Sequence, residues 1–215
     1  MISENLKYKV FCVLSYIIKK EMHPKNSVTF FREIDCTVIE NIRNQYALQE
    51  LKKPSYTSFI IKAVSQAIAD HPFVNARVFP HFPYHKIFKF PEIHTAVASE
   101  KDMPGAEFMA FIDIIRNTDS MSIDAINREL ISLANASVEN NKQLNSFLKV
   151  IKNFPIFMAR QLCTLPSIFP SMWMKYRGAG IVVSSPSKYG VDSVSATWTH
   201  PLGVSFGLVD RKSVV

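Results

Sequence analysis

SYTSFIIKAVSQAIADHPFVNARVF (Ser55–Phe79) is where the fold declares itself. Phe59, Ile60, Ala63, Val64, Ala67 and Ile68 recur at helical spacing, which predicts an amphipathic helix over 55–71. Thr57 or Ser58 is placed to cap its start, and Pro72 closes it because proline lacks the N–H that a helix interior needs. The chain then turns directly into NARVF, a strand-like run. A helix that feeds a short strand with almost no linker implies mixed α and β structure packed as layers.

The segments on either side extend this pattern. Residues 5–21 have helical periodicity and few breakers, SVTFFREIDCT (Ser27–Thr37) reads as a strand, and TVIENIRNQYALQEL (Thr37–Leu51) reads as an amphipathic helix. After Phe79 come KIFKF, HTAVAS and EFMAFIDII, with PGA at 104–106 as the turn between the last two. SIDAINRELISLANASVENN (Ser122–Asn141) predicts a helix capped by Ser122, with Asp124 in its first turn. More helix is expected to about Tyr176, and GIVVSS, SVSATWT and GVSFGLV close the chain as strands. Successive strands joined by short turns argue for an α/β sandwich with a mixed, largely antiparallel sheet rather than a doubly wound parallel one.

Composition narrows the function. The chain has 215 residues, 47% of them apolar, and reads as one domain over 1–215 with an ample core. The net charge is +7, and residues 145–215 hold eight Lys/Arg against Asp192 and Asp210 alone. The basic residues are scattered, with no zinc-finger or helix-turn-helix spacing, so nucleic acid is not an expected partner. Cys12, Cys36 and Cys163 are far apart and lie among apolar residues, which fits buried free thiols in a reducing compartment and a cytoplasmic location. No metal-ligand motif is present, and no metal is expected.

The N-terminus lacks a signal-peptide pattern, and its apolar run is too short for a bilayer. FPIFMARQLCTLPSIFPSMWMKY (Phe154–Tyr176) is strongly apolar, but Arg160, Pro166 and Pro170 interrupt it. It is expected to form a pair of short helices packed on the core or on a partner subunit; the lesser reading is a membrane-touching element.

Five of the six glycines, Gly178, Gly180, Gly190, Gly203 and Gly207, cluster near the C-terminus around Ser184 and Ser185. GxxxxGK[ST], GxGxxG, GxSxG and HExxH are all absent. Four stretches in register instead resemble the catalytic domain of the 2-oxoacid dehydrogenase acyltransferases, the dihydrolipoamide acyltransferase family. These are FFREIDCTVIENIRNQ, TSFIIKAVSQAIADHPFVNARV, FIDIIRNTDSMSIDAINREL and GAGIVVSSPSKYGVDSVSATWTHPLGVSFGLV. The compact length resembles the stand-alone branch, without lipoyl or peripheral-subunit-binding domains.

The resemblance implies a chloramphenicol acetyltransferase-like two-layer fold and acyl transfer from acyl-CoA to a dihydrolipoyl-type thiol or other nucleophile. It implies coenzyme A as cosubstrate and a homotrimer with active sites between subunits. It implies that Ser184, with Ser185 as the fallback, donates a hydrogen bond to the oxyanion of the tetrahedral intermediate.

The family's general base is a histidine in a D-H-R-x-x-[DN]-G motif. These 215 residues do not contain it; they end at GLVDRKSVV, where it is expected to begin. His71 is followed at four residues by Asn75 but then by Ala76 rather than glycine, so it belongs to the HPFVNA stretch. His94, His200, His23, His81 and His85 read as surface or structural. A chain truncated before its catalytic histidine is the expectation, and a non-catalytic scaffold that oligomerises or binds a CoA-like ligand is the alternative.

Overall fold

In a computed structural model of the protein, the residues described are 4–21, 34–79, 82–84, 86–103, 106–137, 140–178, 181–184 and 204–207. Seven helices and six strands occur among them, in the order α1(Glu4–Glu21), α2(Thr37–Leu48), α3(Tyr56–Asp70), β1(Ala76–Phe79), β2(Lys86–Lys89), β3(Thr95–Met103), β4(Ala106–Ile115), α4(Ile123–Asn135), α5(Lys142–Asn153), α6(Ile156–Thr164), α7(Pro170–Tyr176), β5(Ile181–Ser184) and β6(Val204–Gly207).

The strands form a two-stranded antiparallel hairpin, β1–β2, and a four-stranded mixed sheet of order β4-β3-β5-β6. β3 pairs antiparallel with β4, and parallel with β5, which pairs parallel with β6. The parallel β3–β5 pairing requires a crossover, and α4 to α7 supply it. The predicted strands at Ser193–Thr199 and Ser27–Glu33, and the turn at 104–105, lie outside the described residues. Ile34–Cys36 is not strand; Asp35 Oδ1 accepts from the Thr37 amide at 2.9 Å and opens α2 instead.

The helix of the opening stretch starts earlier than its sequence suggests. Ser55, not Thr57 or Ser58, is the N-cap, and its hydroxyl accepts from the Ser58 amide at 3.2 Å. The buried face comprises Ser58, Phe59, Ile61, Val64, Ser65 and Ile68, whereas Ala63 and Ala67 are exposed. The inward face is thus rotated from the apolar stripe. Two serines can lie inward because each is bonded: Ser58 Oγ donates to Ser55 O at 2.6 Å, and Ser65 Oγ to Thr118 Oγ1 at 2.6 Å.

Ser122 caps α4 as expected, but the helix stops at Asn135 rather than Asn141. Asn141 starts a new helix: its Oδ1 accepts from the Leu144 amide at 2.9 Å while Nδ2 donates to buried Asp113 at 2.6 Å. Side chains that bond locally to backbone in this way compete with helix continuation.

Three apolar clusters hold the layers. Ile61, Val64 and Ile68 of α3 and Ile126 of α4 meet Val97, Ile115, Ile181 and Val183 on one face of the sheet. Val10, Val13 and Ile17 of α1 meet Leu144, Ile151, Ala159 and Phe111. Phe79, Phe90 and Trp173 join the hairpin to α7. The apolar segment Phe154–Tyr176 forms two short helices separated by a 3₁₀ turn, Leu165–Ser167, as expected. Among the described residues, no helix is long and apolar enough to cross a membrane.

Candidate functional site

β5 has two faces. Ile181 and Val183 are buried against α3 and α4. Val182 and Ser184 therefore point to the other side, as strand alternation requires. Ser184 ends the strand, half-buried, with Gly207 of β6 directly across from it. On β3, Ala96 pairs with Val182, so Ala98 falls beside Ser184, and Ala98 is exposed. Ser184 thus sits half-buried at the end of an interior strand of the sheet, between two small neighbours, Ala98 and Gly207. Ser185 lies outside the described residues.

The chain reaches β5 through Gly178, whose φ of +71° is one that side-chain-bearing residues rarely adopt. A Cβ there would meet Ile114 Cγ2 at 3.4 Å and His94 Cβ at 3.8 Å, so the turn lies directly on the sheet. The carbonyls at the end of α7 are held from two sides: Arg116 Nη2 donates to Lys175 O at 3.0 Å, and Gln143 Nε2 to Tyr176 O at 3.0 Å.

A charge cluster that sequence reading missed anchors the same point. Glu21, at the end of α1, has a fully buried carboxylate. Arg177 grips it with two contacts, Nε to Oε2 at 3.1 Å and Nη2 to Oε1 at 3.3 Å, and Nη2 also donates to Cys163 O at 2.8 Å. Arg77 of β1 lies in the same field and stacks on Trp173, with Cζ 3.3 Å from the ring centroid. Burial lowers its pKa to about 9, against the pull of Glu21 in the opposite direction, so it remains charged at neutral pH. Glu21 and Arg177 are 156 residues apart, and no local motif could link them.

The histidines divide clearly. His71 is the exposed C-cap of α3. His94 is buried; its Nδ1 accepts from the Asn117 amide at 3.1 Å, which places the proton of the neutral ring on Nε2. Nε2 lies 3.2 Å from Glu92 Oε2, an ion-pair distance without hydrogen-bond geometry. Burial and, less strongly, Arg116 push its pKa down, outweighing the Ile93 backbone and Glu92, which raise it. His94 precedes Ala98 by four residues, about 13 Å along an extended strand, so it cannot serve as base for chemistry at Ser184. His23, His81, His85 and His200 lie outside the described residues.

The other motif residues build the frame. Asn75 donates to Phe90 O at 2.7 Å and Glu92 O at 2.9 Å, tying β1 to the approach to β3. Thr118 joins Ser65 to Thr95 in a buried hydroxyl chain between α3 and β3. Among the described residues, no group of three His, Cys, Asp or Glu could hold a metal ion. All three cysteines are free but only partly buried, less than their apolar surroundings suggested.

The described core is a mixed sheet with α3 and α4 packed on one face and Ser184 at the end of β5. The chain belongs to the family of 2-oxoacid dehydrogenases acyltransferase catalytic domains, whose family model matches residues 16–149. That match ends before β5, so the role of Ser184 rests on the motif resemblance.

Among curated proteins, the dihydrolipoyllysine-residue succinyltransferase component of the 2-oxoglutarate dehydrogenase complex of Bacillus subtilis (strain 168) is 29% identical over 119 residues, covering 54% of this chain and 26% of that protein. The dihydrolipoyllysine-residue acetyltransferase component of the pyruvate dehydrogenase complex of Buchnera aphidicola subsp. Schizaphis graminum (strain Sg) is 25% identical over 137 residues, covering 59% and 32%. The matches thus span about a quarter to a third of the length of these relatives.

Among solved structures, a probable dihydrolipoamide acetyltransferase from Listeria monocytogenes 4b F2365 superposes with a TM-score of 0.57 at 20% identity, covering 100% of this chain and 76% of that one. A truncated catalytic core of the 2-oxoacid dehydrogenase multienzyme complex from Thermoplasma acidophilum gives 0.57 at 13% identity, covering 97% and 78%. At these identities the likeness establishes the fold.

Proposed function

We propose that this chain forms the oxyanion-stabilising part of an acyl-CoA-dependent acyltransferase site, with a dihydrolipoyl-type thiol as acceptor. The acceptor sulfur adds to the thioester carbonyl carbon, and the carbonyl oxygen gains the negative charge. Ser184 Oγ–H donates a hydrogen bond to that oxygen. The intermediate then collapses, breaking the C–S bond to coenzyme A, which leaves as the thiolate and takes up the proton lost by the acceptor. A neutral hydroxyl suits this role, because charge appears on the oxygen only during reaction. The placement of Ser184 between Ala98 and Gly207, away from the packed face, carries the reading.

The proton relay needs a base near neutrality. The family histidine motif is not in these residues, and the described histidines do not replace it. The site works in this reading only when that histidine is supplied to it. A trimer, with sites between subunits, is the assembly expected of the complete site, and light scattering that finds a monomer at micromolar concentration counts against it. The second reading is a non-catalytic scaffold of the same fold that oligomerises or binds CoA.

The test compares the chain as given with one extended by a segment bearing the histidine motif, using acetyl-CoA and dihydrolipoamide. The unextended chain should show no transfer above background, and the extended one should turn over. In the extended chain Ser184→Ala should lower kcat by about 10²–10³-fold with little change in KM, and Ser185→Ala should matter far less. Turnover by the unextended chain that survives His71→Ala refutes the assignment of the base. CoA binding by an inactive extended chain supports the scaffold.

A further inference from the structure

Helices α5 and α6 show two unlike faces. Inward, Leu144, Ile151 and Ala159 are fully packed against α1. Outward, Lys142, Lys149 and Lys152 are all exposed. Their spacing of seven and three places them on one side of α5. The corner that joins α5 to α6 exposes Phe154, Phe157 and Met158, with Phe157 65% accessible. From Asn141 to Arg177 the chain holds six Lys/Arg and no Asp or Glu. A single exposed phenylalanine is ordinary. Three large apolar groups within five residues, next in sequence to a lysine face whose own stretch, 141–177, holds no acidic residue, form a specific combination.

We propose that the α5–α6 corner is a docking site for an anionic lipid surface. Phe154, Phe157 and Met158 enter the boundary between headgroups and acyl chains, and the α5 lysines face the headgroup charges. A second copy docked two-fold on this face fits poorly, because it would bring the same lysines together with no carboxylate from this stretch between them. Phenylalanine and methionine have no strong hydrogen-bonding groups to align an acidic protein partner, whereas an acyl boundary needs none. The sequence weighed such contact as the lesser reading; the exposed corner makes it the stronger one for this patch. It leaves the buried faces of α6 and α7 in the core and is independent of the acyl-transfer reading.

The experiment is flotation of the full chain with phosphatidylcholine vesicles, with and without phosphatidylserine, over a range of salt. Binding is expected only with phosphatidylserine and should weaken as salt rises. Lys149→Ala with Lys152→Ala should reduce partitioning about 25-fold, at about fivefold per lysine. Phe154→Ser with Phe157→Ser should reduce it sharply while the weak residual binding stays salt-dependent. All four positions are exposed, so circular dichroism melting should be unchanged and a folding defect is separable. No binding to either vesicle, equal binding to both, or binding that neither pair alters overturns the proposal. So does a Phe154/Phe157 variant that changes oligomer size but not vesicle binding, which assigns the corner to a subunit contact.

Discussion

Glu21→Gln keeps the shape of a buried side chain and removes its charge. Two guanidinium groups surround it, Arg177 in direct contact and Arg77 within its field. Losing the carboxylate leaves both cations in a low-dielectric region without it. Breaking a buried pair in this way costs about 3–5 kcal/mol. Arg77 adds to the cost, because burial already lowers its pKa to about 9 and Glu21 opposes that shift.

Arg177→Met is the informative contrast. It leaves Glu21 facing Arg77, one anion and one cation, and should cost less than Glu21→Gln. The double variant should fall short of the sum of the two, because the interaction can be lost only once. Urea denaturation of the four proteins reads all three quantities. A Glu21→Gln cost below about 1 kcal/mol, in the range of a solvated surface pair, or a larger cost for Arg177→Met, would refute this account of the cluster.

Other consequences are simpler to measure. Gly178→Ala forces a side chain into a left-handed turn and should cost about 1–2 kcal/mol, read as a melting point lowered by several degrees; an unchanged melting point would mean the turn relaxes freely. Cys163, its thiol pushed up by burial to about 11, should react with iodoacetamide at pH 8 about 100-fold more slowly than an ordinary thiol, with full rate restored in denaturant. His94 is held neutral in the fold, so the unfolded chain takes up a proton that the folded one resists as pH falls below about 6.5. Stability should therefore decline over that interval, and His94→Gln should flatten the decline.

Local pattern carried the helices and most strands. The Ser122 cap, the two short helices after Phe154, and the HTAVAS and EFMAFIDII strands follow from periodicity and breakers close in sequence. The differences have long-range causes. The inward face of α3 depends on which serines find partners, and Ser65 finds Thr118, 53 residues away. The end of α4 depends on Asn141 reaching Asp113 on a strand. The candidate serine was legible only through its motif; that it occupies the face opposite Ile181 and Val183 required knowing what packs on β5. Glu21, Arg77 and Arg177 had no signal at all, because a buried ion cluster is made by tertiary placement and not by spacing.

The position of α1 has a consequence for synthesis. Its stripe of Val10, Val13 and Ile17 packs on α5 and α6, and its last residue is tied to one 156 residues later. At about 5–20 residues per second the ribosome takes about 10–30 s to supply that partner. For most of this interval α1 is an amphipathic helix without α5 and α6, and the α3-centred layer too waits for Ile181 and Val183 of β5. α1 is made long before the residue that secures its end, and a chaperone that holds α1 early should raise the yield of folded protein more than one that acts after release.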